Sequence, residues 1–199
     1  MTMTAERTPD LHATARRAMI DSQLRTSGVN EPWVLAAIGS VAREQFVPEE
    51  ARAAAYIDRA IALGEGRFLA SPLVHARMLA EAGPGPEDKV LLVGEDKGYL
   101  AALLKPLCGT LDAVDPASAL SKGKGGYSLI VIDGAIEHMP DALAKRLADD
   151  GRLVTGLVER GITRLATGRK AAGHLVLLPL AEIGIPVLPE FAAPKSWSF

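Results

Sequence analysis

Apolar residues recur every three or four positions in the first part of the chain, which predicts helices there. One helix is predicted over 12–26. A second is predicted to follow Asn30 as its cap, with Pro32 in its first turn. A third is predicted over 72–81, where Ser71 can cap the first amides and a proline fits the first position. The two N-terminal helices are expected to pack on the domain that follows them.

Short apolar runs alternate with helical segments beyond position 84. The runs predicted as strands are KVLLVG, GTLDAVD, YSLIVID and GRLVTGLV, and the segments predicted as helices between them are KGYLAALLKPL and PDALAKRLADDG. Two more β-like runs, ITRLATGRK and HLVLLPLAEI, finish the chain with the tail PVLPEF, whereas IALGEGRFLASP is predicted as an irregular link. This order predicts a doubly wound, mostly parallel Rossmann-like α/β sheet with a C-terminal antiparallel hairpin.

The composition fits one globular domain, because 48% of the 199 residues are hydrophobic and 23% are charged. We expect a single domain over 1–199, with a helical extension over 1–60 and a sheet core over 61–199. The formal net charge is −2 and the basic residues are scattered, which argues against binding to nucleic acid or to an anionic membrane. A lone cysteine and histidines without metal-ligand spacing argue against a disulfide framework and a metal site. The N-terminus has no apolar signal core and no window approaches the roughly 20 apolar residues of a membrane span, so a cytoplasmic protein is expected.

The stretch VLLVGEDKGY places a glycine-bracketed turn between a strand and a helix. Turns of this kind let a cofactor approach the backbone, which makes Gly94 and Gly98 candidate binding positions. Asp115 lies 21 residues beyond Gly94, at the end of the next predicted strand, where nucleotide-binding folds place a carboxylate for ribose hydroxyls. An Asp-Pro pair is equally typical of a turn. A nicotinamide enzyme is disfavoured because the glycine spacing is not Gly-x-Gly-x-x-Gly.

Five segments resemble the protein-L-isoaspartate O-methyltransferase family in the family's order: AREQFVPEEARAAAYID, GRFLASPLVHARM, VLLVGEDKGYLAALL, YSLIVIDGAIEHMP and DDGRLVTGLV. ARRAMIDSQLR and PVLPEFAAP are similar to a divergent bacterial branch of that family. The resemblance implies a class I methyltransferase fold that uses S-adenosylmethionine to esterify isoaspartyl carboxylates in damaged proteins. It also implies that Gly94, Gly98 and Asp115 hold the cofactor.

The cofactor turn departs from the family pattern. Leu92 stands where the resemblance implies an acid for the methionine amino group, and Asp96 replaces the central glycine. Glu95 and Asp96 beside the ligand's own carboxylate would oppose binding by about a few kcal/mol at a moderate effective dielectric. Alternatively, both carboxylates turn to solvent with Lys97 as partner. Asp133 also ends a predicted strand, but the resemblance implies no acid there, and the sequence assigns it no role.

The interval between Asp115 and Tyr127 is only eleven residues long, PASALSKGKGG. The resemblance implies a helix, a third strand and an acidic turn beside the adenine in this interval. Eleven residues cannot supply all of these, because a parallel crossover alone needs a dozen or more. We therefore expect the third, edge strand to be deleted and the adenine side of the pocket to be open.

The substrate side is also changed. The resemblance implies a serine hydroxyl beside the isoaspartyl carboxylate, and Ala70 occupies that position, followed by Ser71. Ser71 is a candidate catalytic residue or only a helix cap, and Asp58 in AYID matches a family carboxylate at the substrate cleft. The substrate carboxylate is already ionised at neutral pH and needs no general base, so losing a positioning hydroxyl slows the reaction without forbidding it.

Two alternative functions follow. The first is methylation of isoaspartyl carboxylates in proteins or peptides, with S-adenosylmethionine as cofactor and with impaired activity. The second is a pseudoenzyme, a non-catalytic scaffold that has lost cofactor binding and serves as a peptide-binding or assembly module. An open sheet edge would favour homo-oligomers of either form unless the SKGKGG loop covers it.

Overall fold

The computed structural model describes residues 10–193. The α-helices, α1 to α6 in chain order, are Leu11–Met19, Pro32–Ser40, Pro72–Ala82, Tyr99–Leu104, Pro116–Ala119 and Asp141–Ala144. The strands, β1 to β8, are Ile61–Gly64, Arg67–Leu69, Lys89–Val93, Thr110–Val114, Tyr127–Ile136, Leu147–Glu159, Ile162–Ala171 and His174–Glu182. A π-helical turn and three 3₁₀ turns complete the regular structure: Ile20–Leu24, Arg43–Phe46, Glu49–Ala54 and Pro189–Phe191. None of the helices in this part of the chain is long and apolar enough to cross a membrane.

Six strands form the main sheet in the order β4-β3-β5-β6-β7-β8. The pairs among β4, β3, β5 and β6 are parallel, and β7 and β8 add two antiparallel strands. This topology confirms the doubly wound sheet with its C-terminal hairpin. Among the described residues β4 and β8 are the two edge strands, and only the one-turn helix α5 separates β4 from the loop into β5. The predicted deletion of a third, edge strand is therefore confirmed.

The central strands are buried on both faces, as the unbroken apolar run of β5 predicts. Alternate residues of β3 and β5 enter two cores. Leu92 and Leu129 pack with the N-terminal helices and α3 on one face, whereas Leu91 and Ile130 pack on the other with Phe191. α3 joins the first core with the predicted cap, Ser71, at its N-terminus.

Two segments differ from the sequence prediction. The predicted irregular link 61–72 contains a β-hairpin, in which β1 and β2 are joined by Glu65 and Gly66, both at positive φ. This is the backbone that a tight hairpin turn requires, and the glycine supplies it without strain. The predicted helix PDALAKRLADDG is also too long: α6 ends at Ala144, and Leu147 already pairs with Tyr127 of β5. Tertiary pairing of an apolar residue overrides helix propensity here.

The segment after β8 returns to the sheet as a strap, defined as residues 183–191, which ends in the 3₁₀ turn Pro189–Phe191. The strap brackets Ala135 of β5: the Ala135 amide donates to the Pro186 carbonyl at 2.8 Å, and the Leu188 amide donates to the Ala135 carbonyl at 2.9 Å. Gly134 makes this approach possible, because a Cβ there would lie 2.5 Å from Cγ of Leu188. The strap is thereby fixed at the carboxyl end of β5.

An ion pair joins several elements at the opposite end of the sheet, where β3 and β5 begin. Arg152 of β6 donates two hydrogen bonds to Asp88, at 3.0 and 2.5 Å, and also bonds the carbonyls that end α3. Ser128 of β5 donates to the same carboxylate at 2.7 Å. The Arg152 guanidinium is the main reason that the pKa of Asp88 is lowered to about 2.

Candidate functional site

A cleft of about 640 Å³ opens at the carboxyl ends of β3, β4 and β5. The hairpin forms one wall and the glycine turn 94–98 another, while the end of β4 and the strap close the remaining sides. Open α/β sheets bind ligands at this end of their strands, and the volume lies in the range of small-molecule sites. In the described residues no group of three or more histidine, cysteine or acidic side chains could hold a metal ion.

The glycine turn is closely packed. Neither Gly94 nor Gly98 has a positive φ, so their backbone conformation does not demand glycine. A Cβ on Gly94 would lie 3.1 Å from Cβ of Asp133, and one on Gly98 would lie 3.1 Å from both Cβ and the carbonyl oxygen of Glu95. Both glycines line the cleft and present only backbone to it, a surface that suits the close approach of a cofactor.

The two extra acids of the turn are exposed. Glu95 forms an ion pair with Arg67 of β2, which also lies 3.9 Å from Glu65. Its partner is thus on the hairpin and is not the predicted Lys97. Asp96 is exposed at the cleft rim. Because Arg67 lies beside Glu95, the repulsion that the sequence suggests is weakened, and the ion pair links the hairpin to the turn.

Asp115 follows β4 and lines the cleft. Its Oδ1 accepts a hydrogen bond of 2.9 Å from the amide of Ser118, which caps α5. The bonds with Ser118 also lower the pKa of the Asp115 carboxyl. One carboxylate oxygen therefore serves the turn and leaves the other for a ligand, so the cap role and the predicted ribose role are compatible.

The predicted substrate-side residues cluster at the start of α3. Oγ of Ser71 accepts from the amide of Val74 at 3.4 Å, and Oδ1 of Asp58 accepts from the amide of Leu73 at 3.4 Å. Ser71 is buried and Asp58 is exposed, and the residues that line the cleft include neither. Ala70, at the family serine position, is buried and offers no hydroxyl. Catalytic roles for Ser71 and Asp58 stay predictions.

A buried hydrogen-bond network of Arg43, His75 and Asp133 leads from the N-terminal region to the cleft. The fully buried Arg43 donates to the carbonyls of Ala55 and Ala70, at 2.7 and 2.5 Å, and lies 3.2 Å from Nδ1 of His75. Nε2 of His75 lies 3.1 Å from Oδ1 of Asp133, which lines the cleft. Burial lowers the pKa of the Arg43 guanidinium. From the sequence, Asp133 is visible only as an acid at the end of a predicted strand, and the rest of this network is not visible.

Aromatic rings pack around this hydrogen-bond network, and those of Phe46 and Tyr99 line the cleft. Phe46 and His75 each meet the ring of Tyr99 edge-on, with centroids 5.5 and 5.3 Å apart. The guanidinium carbon of Arg43 lies 5.0 Å from the centroid of Tyr99, and burial raises the pKa of the tyrosine to about 12. These contacts bury Tyr99, the first residue of α4, directly after the glycine turn.

Known proteins are similar to this chain in sequence and in fold. The family model described as protein-L-isoaspartate(D-aspartate) O-methyltransferase matches residues 14–115. A protein-L-isoaspartate O-methyltransferase of Koribacter versatilis is 33% identical over 195 residues, covering 84% of this chain and 88% of the relative. One of Protochlamydia amoebophila is 31% identical over 162 residues, covering 68% and 77%.

Two solved structures match the fold. One is a Plasmodium falciparum structure described as a putative protein-L-isoaspartate O-methyltransferase in complex with S-adenosyl-L-homocysteine. It has a TM-score of 0.71 at 16% identity and covers 92% of this chain and 100% of that one. A second structure, named as a protein-L-isoaspartate O-methyltransferase, has a TM-score of 0.73 at 15% identity and covers 89% and 67%. These two structures share the fold, and the family model and the curated relatives establish that the chain belongs to the protein-L-isoaspartate O-methyltransferase family.

Proposed function

We propose that the chain transfers the methyl group of S-adenosylmethionine to isoaspartyl carboxylates in damaged proteins. The observation that carries this proposal is the open cleft beside the glycine turn, at the ligand-binding end of the sheet of a family member. The structure described as a complex with S-adenosyl-L-homocysteine has the same fold. A cytoplasmic location is part of the proposal.

The residues of the cleft fit the cofactor in their chemistry. Gly94 and Gly98 present backbone without side chains to the cleft, and Asp115 keeps one carboxylate oxygen for hydroxyl groups. When bound, S-adenosylmethionine supplies an electrophilic methyl group. The chain has to align the substrate carboxylate and exclude water, because that carboxylate is ionised at neutral pH without a base.

Two features make this activity slow. Ala70 leaves the substrate carboxylate without the hydroxyl that the family resemblance implies, and a misplaced reacting group costs about 10²-fold in rate. The short α5 and the edge position of β4 leave the nucleoside side of the cleft exposed. The enzyme is therefore proposed to be active but impaired.

A second candidate is a non-catalytic peptide-binding or assembly module. The observation that favours it is the same edge strand, because the described residues place no strand beside the outer edge of β4. Unpaired strand edges can accept another strand, either from a peptide or from a second copy of the chain. This candidate predicts no methyl transfer at all.

Methyl transfer to a synthetic isoaspartyl peptide tests the proposal, with the otherwise identical aspartyl peptide as a matched control. We expect slow methyl ester formation on the isoaspartyl peptide only, and faster formation by the Ala70→Ser variant. Equal labelling of both peptides would contradict the proposed specificity. No ester with either protein, at saturating cofactor, would leave the non-catalytic module as the function.

A further inference from the structure

Asp133 occupies an irregular point of the sheet. The pairing of β3 with β5 ends at Val93 and Ile132, and the register between β5 and β6 shifts between Val131 and Ala135. Such irregularities re-aim side chains and are frequent beside active sites. Here the irregular segment brings the Asp133 side chain against Gly94, where a glycine Cβ would lie 3.1 Å from the aspartate Cβ.

The two oxygens of this carboxylate are in different states. Arg43 can only donate, so it fixes Nδ1 of His75 as an acceptor and leaves the ring proton on Nε2. That proton is donated to Oδ1 of Asp133 at 3.1 Å. Oδ2 has no hydrogen-bond partner among the described residues, and the side chain is 19% exposed. One oxygen is thus held in place while the other is free at the cleft.

The other carboxylates of the cleft are less suitable for a buried cation. Glu95 is paired with Arg67, and Oδ1 of Asp115 caps α5. The remaining acids that line the cleft are exposed, namely Glu65, Asp96 and Glu190. Strand β3 ends in the buried apolar residues Leu92 and Val93 and offers no acid of its own. Asp133 is therefore the partly buried acid at the base of the glycine turn.

We propose that Asp133 receives the α-amino group of the cofactor, with His75 and Arg43 holding its carboxylate in position. This inference rests on the proposed function, since it concerns the same cofactor. A primary ammonium beside a partly buried carboxylate forms a charge-assisted hydrogen bond, which is stronger than a neutral one. The amino-acid end of the cofactor then lies against Gly94, and the nucleoside extends toward Asp115.

Calorimetric titration of the wild type and of Asp133→Asn tests the inference with two probes. S-adenosylhomocysteine carries the amino group, whereas 5′-methylthioadenosine has the same nucleoside thioether and no amino acid. We expect Asp133→Asn to weaken S-adenosylhomocysteine binding by about 10- to 100-fold, the value of a hydrogen bond to a charged group. Binding of 5′-methylthioadenosine should change less than about twofold.

Glu190→Gln is the matched control, because it removes one negative charge from the exposed rim of the same cleft. It should change the affinity for S-adenosylhomocysteine less than about twofold, since exposed charges are screened. Equal losses in both variants, or an Asp133→Asn loss that extends to 5′-methylthioadenosine, would overturn the inference. If the wild type binds neither probe, the proposed function itself fails. The thermal unfolding temperature of Asp133→Asn should equal that of the wild type, which shows that a loss of binding by the variant does not come from misfolding.

Discussion

Replacing Arg43 with methionine removes the donor of the buried hydrogen-bond network but keeps a long, apolar side chain at this position. Arg43 has no exposed surface and serves three acceptors: the carbonyls of Ala55 and Ala70 and Nδ1 of His75. In the variant all three acceptors are left buried without this donor, and the histidine is free to adopt its other tautomer. The substitution therefore affects the 3₁₀ turn Arg43–Phe46 and, through His75, the position of Asp133 in the cleft.

The magnitude follows from this inventory. Each buried acceptor left without a partner costs about 1–3 kcal/mol. Removing the guanidinium offsets part of that cost, because burial disfavours the charged form of Arg43 and lowers its pKa. We expect the free energy of unfolding to fall by about 3–5 kcal/mol, because this relief offsets only part of the cost of three unpaired acceptors.

Urea unfolding at neutral pH, followed by tryptophan fluorescence and far-UV circular dichroism, measures this loss. Arg59→Met is the control, because Arg59 is exposed and its side chain forms no hydrogen bond or ion pair within residues 10–193. The control should stay within about 0.5 kcal/mol of the wild type. A loss below about 1 kcal/mol for Arg43→Met, at an unchanged slope with urea, would refute the reasoning.

Four further predictions address the cap, the turn, the strap and the acid stability. Ser71→Ala should lower the free energy of unfolding by about 1 kcal/mol and Ser71→Asp should lower it much less, because aspartate can also cap the helix. Both variants should transfer methyl groups within about twofold of the wild-type rate, and a large rate loss in both would make the hydroxyl catalytic. Asp96→Gly should strengthen S-adenosylhomocysteine binding in calorimetry, with little added by Glu95→Thr, and unchanged or weaker binding would show that the acid does not obstruct. Gly134→Ala should displace Leu188 and speed exchange of the Ala135 amide in hydrogen-exchange mass spectrometry, and unaltered protection would contradict the tight strap contact. The pKa of Asp88 is lowered to about 2, so its contribution is present above about pH 4 and is lost as the pH falls toward 2. Asp88→Asn should flatten that part of the stability profile measured by urea unfolding, and an unchanged slope would refute the assignment.

Local sequence signals predicted the fold well where pattern and tertiary contacts agree. Ser71 with a following proline predicted the start of α3, and Gly83 ends that helix in the left-handed conformation. The unbroken apolar run of β5 predicted burial on both faces. These features depend on residues that are neighbours in sequence. The missing edge strand was predicted from the short interval after Asp115 together with the family resemblance, which implies a third strand there.

The features that sequence reasoning missed depend on distant contacts. Arg67 and Glu95 are 28 positions apart, and their pairing required the β1–β2 hairpin that was predicted as a link. The contact of His75 with Asp133 spans 58 positions. The strap reaches β5 because Gly134 leaves room for Leu188, a fit that no periodicity reveals. The sequence therefore indicated the glycine turn and Asp115, which both line the cleft, but not the hairpin and the strap that form its other walls.

A crystal structure with S-adenosylhomocysteine at saturating concentration tests the central claim most directly. The account predicts the ligand in the cleft between the hairpin, the glycine turn and the strap. Its amino group should lie within hydrogen-bond distance, about 3 Å, of Oδ2 of Asp133, and its ribose should lie beside Asp115. A cleft without ligand in that crystal, or a ligand bound elsewhere on the chain, would contradict the account.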